Sequence, residues 1–318
     1  MLRVLLLAIL LLPTSAFAQP PSQKTIRIIV PFAPGASADG IARAISIELG
    51  KRLGKTVVVE NMTGAGGSQG LVTLSKSPPD GDTLGVGATG ALLINPHITG
   101  SNAPDLLREL APVAKLIEVG IVVVANPKTG PRSITEMLAR AKASPEGLSY
   151  GSTGVNTAQH LSMEMLKAAA GANVVHIPYR GSAPAIVDLV AGQIPVASVD
   201  ITSAYPHIVS GRAVALGMAE ARRSRAAPEI PTIGESGVLG FGRAGGFIGL
   251  FAPAGTPAPL VKRISEEVRQ ILASPAIEPN LKALTVSAAY EDEAAFAAFL
   301  ATETARWKQT LQSLKLAK

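Results

Sequence analysis

Short apolar runs alternate with longer amphipathic stretches along most of the chain. The short runs are rich in β-branched residues, as buried strands are, whereas apolar residues spaced three and four apart predict helices. We expect strands at 25–32, 57–59, 83–89, 119–125, 148–152, 174–179, 194–199, 214–218 and 247–252. We expect helices at 38–53, 133–143, 157–170, 182–191, 257–272 and 292–314. This alternation predicts an α/β fold with mostly parallel sheets.

The first 18 residues differ from the rest and predict a secretory signal peptide. Arg3 precedes an unbroken apolar run at 4–12, and Ala16-Phe17-Ala18 has the small-x-small form of a cleavage site. The run is about half of the ~20 apolar residues that a membrane helix needs. We therefore expect a mature N-terminus at Gln19 and a periplasmic location, with an uncleaved membrane anchor as the alternative. No cysteine follows the small residues, which excludes a lipoprotein anchor.

The chain beyond the signal peptide is long enough for two domains of about 150 residues each. No single linker separates them, so we expect a discontinuous first lobe at 19–122 and 241–318 and a second lobe at 123–240. The chain would cross between the lobes near 122–127 and within the glycine-rich stretch 240–246. An ordinary loop is the alternative for that stretch.

Composition excludes several classes of protein. The chain has no cysteine, so it has neither a thiol nucleophile nor a thiolate metal site, and no metal-ligand spacing is present. We expect no metal or other cofactor. The net charge is +6, but the basic residues are scattered, and the tightest group has no aromatic neighbour (Arg222, Arg223, Arg225). This pattern argues against nucleic-acid binding, while a mild positive field would steer a small anion toward a cleft.

Three glycine-rich segments, each following or ending a predicted strand, are candidate ligand-binding turns. The first is 31–39, which includes Phe32, and the second is 150–157; both lead into predicted helices. Free N–H groups at the start of a helix suit a carboxylate, and turns from opposite halves of the chain could share one anion. We interpret the third segment, 85–90 with Thr89, as a wall of the pocket. A plain connection without a ligand is the alternative for each turn.

Two polar residues outside these turns are also candidates. His160 falls in the first turn of the helix that follows the second glycine-rich turn. Asp200 ends the strand at 194–199, at the carboxyl end where open α/β sheets bind ligands. Core packing or helix-end bonding is the alternative for His160, and a surface loop is the alternative for Asp200. Trp307 lies at helical spacing with Phe296 and Phe299, so we expect it in the core.

Two enzyme classes are alternatives to a binding protein. Gly66, Ser68 and Gly70 match the G-x-S-x-G pattern of a serine hydrolase, but that motif needs a strand that runs directly into the serine. The strand at 57–59 ends too early for that. Residues 85–90 match G-x-G-x-x-G, but the nearest acidic residue at the required spacing, Glu109, lies in a polar stretch rather than at a strand end.

The sequence resembles the substrate-binding proteins of tripartite tricarboxylate transporters, also called Bug receptors. The segments that carry the resemblance span essentially the whole mature chain: IRIIVPFAPGASAD (26–39), VVVENMTGAGG (57–67), INPH (94–97), YGSTGVNTAQHL (150–161), HIPYRGSAPAIVDLVAGQ (176–193) and GLFAPAGTP (249–257).

The resemblance implies a type II periplasmic binding fold and a receptor rather than an enzyme. It further implies that a small carboxylate lies between the lobes and that membrane transporter subunits are the partners of a monomeric receptor. By position, it assigns ligand contacts to Ala36, Ser37, Ala38, Asp39, Ser152, Thr153, Asn156, Thr157 and His160. The chain departs from the family pattern at Ala38, where threonine is usual, and at Asn156, where glycine is usual. We expect these two substitutions to affect which carboxylate is bound more than whether the ligand is a carboxylate.

Overall fold

A computed structural model of the protein describes residues 25–238, 241–242 and 244–318. The expected signal peptide at 1–18 and the expected new N-terminus at Gln19 lie outside the described residues. Among the described residues, no helix is both long enough and apolar enough to cross a membrane.

The first sheet, sheet I, is built from both ends of the described chain. Its strand order is β11-β4-β10-β3-β1-β2. The strands are Thr25–Val30 (β1), Thr56–Asn61 (β2), Thr83–Ala88 (β3), Leu110–Val119 (β4), Gly246–Pro253 (β10) and Ala288–Glu291 (β11). The helices around it are Ser37–Leu53 (α1), Ser68–Ser75 (α2), Leu106–Glu109 (α3), Ala258–Leu272 (α8), Glu278–Ala283 (α9) and Glu293–Ser313 (α10).

The second sheet, sheet II, is built from the middle of the chain. Its strand order is β7-β6-β8-β5-β9. The strands are Ile121–Ala125 (β5), Leu148–Ser152 (β6), Val174–Pro178 (β7), Val196–Asp200 (β8) and Val214–Met218 (β9). The helices are Ile134–Ala143 (α4), Ala158–Ala170 (α5), Ser182–Ala191 (α6) and Ile201–Val209 (α7).

The α/β class is confirmed, but both sheets are mixed rather than mostly parallel. In sheet I, β1 pairs in parallel with β2 and β3, whereas β10 is antiparallel to both β3 and β4, and β11 to β4. In sheet II, β6 is parallel to β7 and β8, whereas β5 is antiparallel to β8 and β9. The antiparallel strands β10 and β5 each enter their sheet from the other half of the fold. Read from its β2 edge, sheet I has the order β2-β1-β3-β10-β4, and sheet II has the equivalent order β7-β6-β8-β5-β9.

The chain first passes from sheet I to sheet II at Gly120, between β4 and β5. It returns between β9 and β10, a stretch that includes the undescribed residues 239, 240 and 243. Ile121 and Val122 pair with strands of sheet II, so the expected lobe boundary after residue 122 lies inside β5.

The inner strands β1, β3, β5 and β8 are buried on both faces, which explains why they are nearly continuous apolar runs. In sheet I, Ile28 packs with α1 and α8, whereas Ile29 packs on the opposite face in the cluster that contains the fully buried Trp307. In sheet II, Val122 and Val124 pack on the side of α6 and α7, and Val123 packs on the side of α4 and α5. The helices thus hold the carboxyl ends of the parallel strands in place at the junction of the two lobes.

Candidate functional site

A small buried cavity lies between the lobes, at the carboxyl ends of β1, β3, β6 and β8. Its volume is about 40 Å³, and a buried water needs roughly 10–15 Å³ on this measure. Eight of the twelve residues predicted from sequence line it: Phe32, Ala36, Ser37, Ala38, Thr89, Thr153, Thr157 and Asp200. The other four, Asp39, Ser152, Asn156 and His160, lie behind this lining and not on it.

The two binding turns have the same local construction in opposite lobes. In the first, Gly35 has φ 93° and its N–H donates to the Asp39 carboxylate, three residues after the Ala36 N-cap. In the second, Asn156 has φ 59° and its N–H donates to Nδ1 of His160, three residues after the Thr157 N-cap. In both turns a side chain from the first helical turn reaches back and fixes a residue in a left-handed conformation. These are variants of a capping box.

Asp39 therefore holds the first turn in place instead of contacting the cavity. Arg43 donates to both carboxylate oxygens, at 3.0 and 3.1 Å, and the amide of Asn61 donates to one of them at 3.0 Å. The same Asn61 amide also donates to the carbonyl of Phe32. Burial alone would raise the pKa of Asp39, but the hydrogen bonds from Arg43, Asn61 and the Gly35 N–H hold it below its usual value.

His160 plays the corresponding role in the second turn, together with His176. The two imidazole rings stack with their centroids 4.0 Å apart, and Nε2 of His176 lies 2.6 Å from the hydroxyl of Ser152. Burial lowers the pKa of His160 to about 3, with a smaller contribution from His176, and burial lowers the pKa of His176 to about 4. Both rings are therefore neutral near pH 7, and Nδ1 of His160 is free to accept the N–H of Asn156.

We expect these two neutral imidazoles to make the fold acid-sensitive below about pH 6.5. An unfolded histidine has a pKa near 6.5, so the unfolded chain binds more protons than the folded one once the pH falls below that value. The free energy of unfolding should thus fall between pH 6.5 and 4, by about 1–2 kcal/mol after allowance for partial exposure. Urea unfolding at several pH values measures this loss. It should be smaller in the double variant His160→Gln/His176→Gln, and equal losses in both proteins would contradict the assignment.

The hydroxyl groups of the second turn are already engaged within the protein. Thr157 accepts the N–H of His160 and donates to the carbonyl of Gly154 at 2.9 Å. Thr153 donates to Oε1 of Gln159 at 2.9 Å. The N-cap of α5 is Thr157 and not the neighbouring Asn156. The donors left for a ligand are the backbone N–H groups of Ala158 and Gln159, which have no acceptor among the described residues.

Asp200 links the two lobes across the cavity. Its Oδ2 accepts the hydroxyl of Ser37 at 2.8 Å and the N–H of Ser37 at 3.3 Å, while its Oδ1 accepts the N–H of Ser203 at 3.2 Å. It is the N-cap of α7 and is 5% exposed. Further bonds join the lobes nearby, from Ser203 to the carbonyl of Gly35 and from the Ala33 N–H to the carbonyl of Arg180. The lobes are thus closed on the cavity.

Sequence reasoning missed several residues of the lining, among them Gln159, Ser182 and Phe247. Ser182 begins α6, and its hydroxyl accepts the N–H of Asp200. Phe247 is the second residue of β10 and packs edge-on against Phe296 and Phe299. Ser182 follows Gly181 after a predicted strand, which is the signal that singled out the other turns.

The alternative enzyme motifs have structural explanations. Ser68 follows a short 3₁₀ turn rather than a strand, and its hydroxyl accepts a hydrogen bond from the Asn95 amide. Gly85 and Gly87 lie inside β3, where an added Cβ would come within 2.6 Å of Leu74 or 2.5 Å of Phe251. These glycines allow close packing and do not form a phosphate-binding turn. No group of three or more potential metal ligands occurs among the described residues.

Comparisons with known proteins agree with this architecture. Residues 41–316 match the family described as "Tripartite tricarboxylate transporter family receptor". Protein BugT of Bordetella pertussis is 32% identical over 313 residues, which are 96% of this chain and 96% of that protein. The chain therefore belongs to the tripartite tricarboxylate transporter receptor family, as the sequence predicted, and the members of this family are solute-binding receptors and not enzymes.

Solved structures extend the likeness to the whole described fold. The periplasmic binding protein BugD is 29% identical with a TM-score of 0.85, covering 92% of this chain and 98% of BugD. Rpa4515 of R. palustris with adipate is 25% identical with a TM-score of 0.87, covering 94% and 99%. MatC of Rhodopseudomonas palustris with bound malate is 29% identical with a TM-score of 0.80, covering 90% and 98%. The fold is that of a two-lobed periplasmic binding protein.

Proposed function

We propose that the protein is a periplasmic receptor that encloses a small carboxylate between its lobes and delivers it to a tripartite tricarboxylate-type transporter. The observation that carries the proposal is the pair of equivalent helix starts, α1 and α5, which face one buried cavity from opposite lobes. Helix N-termini favour anions through free N–H groups and the helix dipole. The bound adipate of Rpa4515 and malate of MatC support the ligand class.

The proposed mechanism is closure of two lobes around the ligand. We place lobe I at 25–120 with 246–318 and lobe II at 121–238, so that the chain crosses at Gly120 and again between β9 and β10. A ligand that contacts both α1 and α5 makes all of its contacts only in the closed form. It therefore shifts the open–closed equilibrium by its greater affinity for the closed form.

The location and partners follow from the same proposal. Residues 1–18 would direct export and be removed, which leaves Gln19 as the first residue of a monomeric receptor in the periplasm. Membrane subunits of the transporter would recognise the closed, loaded receptor, and the ligand-free form would return to capture the next carboxylate.

We expect a small carboxylate to raise the melting temperature of the purified protein. A ligand at a hundred times its dissociation constant stabilises the folded state by about 2.7 kcal/mol, which is roughly 4 °C for a protein of this size. Thermal-shift screening against a library of mono-, di- and tricarboxylates measures this directly. Sugars and metal ions in the same screen serve as controls.

The outcome of that screen separates the receptor from the hydrolase alternative. Ester hydrolysis that is lost in Ser68→Ala, without a shift from any carboxylate, would support the hydrolase. Binding of sugars or metals but of no carboxylate would overturn the proposed ligand class.

A further inference from the structure

The cavity lining combines helix-end donors with a single ionisable side chain. Among the described residues that line it, that side chain is Asp200, and the rest are apolar, hydroxyl, amide or glycine residues. No basic side chain of the described lining is present to neutralise a second negative charge. A charge in such a place is costly unless it is paired and hydrogen-bonded.

Asp200 already occupies the helix start of lobe I. Its Oδ2 accepts both the N–H and the hydroxyl of Ser37, which is the first residue of α1. This carboxylate takes the N–H of Ser37, and a ligand carboxylate at the remaining N–H groups of α1 that are free among the described residues, those of Ala38 and Asp39, would lie beside its negative charge. It is also held by Ser203 from α7, so moving it away breaks bonds at two helix starts.

The helix start of lobe II remains available. The N–H groups of Ala158 and Gln159 have no acceptor in the described part of the chain, and both residues line the cavity. The hydroxyl of Thr153 holds Oε1 of Gln159, which leaves the amide NH₂ of Gln159 as a further donor. A ligand carboxylate is therefore received at α5.

Building on the proposed function, we propose that Asp200 makes the site select carboxylates that carry a hydroxyl or ammonium group at their far end over dicarboxylates. With a cavity of only about 40 Å³, both ends of a bound ligand must touch the walls. When one carboxylate lies at α5, the far end of the ligand faces the Ser37–Asp200 pair. A donor there forms a hydrogen bond or ion pair with Asp200, whereas a second carboxylate meets a like charge with no cation nearby.

The proposal is tested with ligands matched in length. Succinate, 4-hydroxybutyrate and 4-aminobutyrate share a four-carbon chain and one carboxylate and differ at the far end. Isothermal titration of each acid into the wild type should give dissociation constants at least about tenfold lower for the hydroxy and amino acids than for succinate. The series is repeated with three-, five- and six-carbon chains, including adipate, so that ligand length does not decide the result.

Asp200→Asn supplies the second measurement. Asparagine keeps an oxygen that can accept from Ser37 but removes the charge, so the preference against the dicarboxylate should shrink to less than about threefold. Asp188→Asn is the matched control, because Asp188 accepts from Tyr179 and does not line the cavity. This control should keep the wild-type ranking.

The wild-type ranking decides the proposal even if Asp200→Asn does not fold. Dicarboxylates that bind the wild type as tightly as their hydroxy and amino counterparts would overturn the selectivity and leave the receptor function intact. An unchanged ranking in a folded Asp200→Asn would also overturn the role of Asp200. If none of these acids binds, and no acid of the organic-acid library binds either, the proposed function is overturned.

Discussion

Gly90→Ala is expected to weaken ligand binding by roughly 10- to 100-fold while both lobes stay folded. A Cβ at this position would lie 2.9 Å from the carbonyl oxygen of Asn156 and 2.9 Å from Cα of Thr157, both backbone atoms of the opposite lobe. Overpacking of this kind costs about 1–3 kcal/mol, and every 1.4 kcal/mol is tenfold in affinity. This overlap destabilises only the closed form, since only closure brings the backbones of the two lobes together.

Titration of the best-binding acid into the wild type and Gly90→Ala measures the loss. The control is Gly171→Ala at the end of α5, where an added Cβ meets nothing within 4 Å. Since Gly171 has φ 59°, alanine there costs about 1 kcal/mol of stability but does not block closure. Equal dissociation constants for the wild type and Gly90→Ala would show that the ligand does not require the closed arrangement.

Thr157→Val is expected to weaken binding by about tenfold and to lower the melting temperature by a few degrees. The hydroxyl caps α5 by accepting the N–H of His160, and it also donates to the carbonyl of Gly154. Loss of a threonine cap costs about 0.5–2 kcal/mol. Without it, the turn no longer holds the N–H groups of Ala158 and Gln159 in place for an anion.

Thr157→Ser distinguishes the hydroxyl from the methyl group. Serine keeps both hydrogen bonds, so its affinity and melting temperature should stay within about twofold and 2 °C of the wild type. If Thr157→Ser loses as much affinity as Thr157→Val, the methyl contact and not the cap is responsible. If neither variant changes affinity, α5 does not receive the ligand.

The strands that are buried on both faces could be predicted from the sequence, because burial makes them continuous apolar runs. The expected strand at 214–218 coincides with β9, and the expected strand at 148–152 with β6. The expected helix at 257–272 differs from α8 by one residue. These elements depend on local composition and need no information about distant partners.

Strand β4 was not predicted, because Pro112, Lys115 and Glu118 interrupt its apolar pattern. Lys115 is nevertheless buried, and its ammonium group donates to Glu291, 176 residues along the chain, at 2.9 Å. The same group lies 4.1 Å from the centre of the Phe299 ring. Partners so far along the chain make a buried lysine possible, and a local pattern does not reveal them.

Helix α7 was also missed, because Ile201, Thr202 and Pro206 argue locally against a helix. The helix begins because Asp200 caps it by accepting the N–H of Ser203. Asp200 was predicted as a candidate from its place at a strand end. Its bond to Ser37 depends on how the two lobes meet.

The position of the site followed from the turns, but the roles of individual side chains did not. Glycine-rich turns before helices predicted free N–H groups, and those at the start of α5 lie at the cavity, while ligand binding there stays a prediction. The sequence could not separate Asp39 and His160, which hold the turns from behind, from Ser37 and Thr153, which line the cavity. All four lie within the same short motifs, and only the direction of each side chain distinguishes them.

A crystal structure of the protein with the acid that gives the largest thermal shift tests directly whether the two lobes enclose a carboxylate at the start of α5. We expect one ligand between the closed lobes, with a carboxylate oxygen within 2.7–3.2 Å of the N–H groups of Ala158 and Gln159 and its far end beside Asp200. A ligand bound outside this cavity, or one whose carboxylates contact neither α1 nor α5, would contradict it.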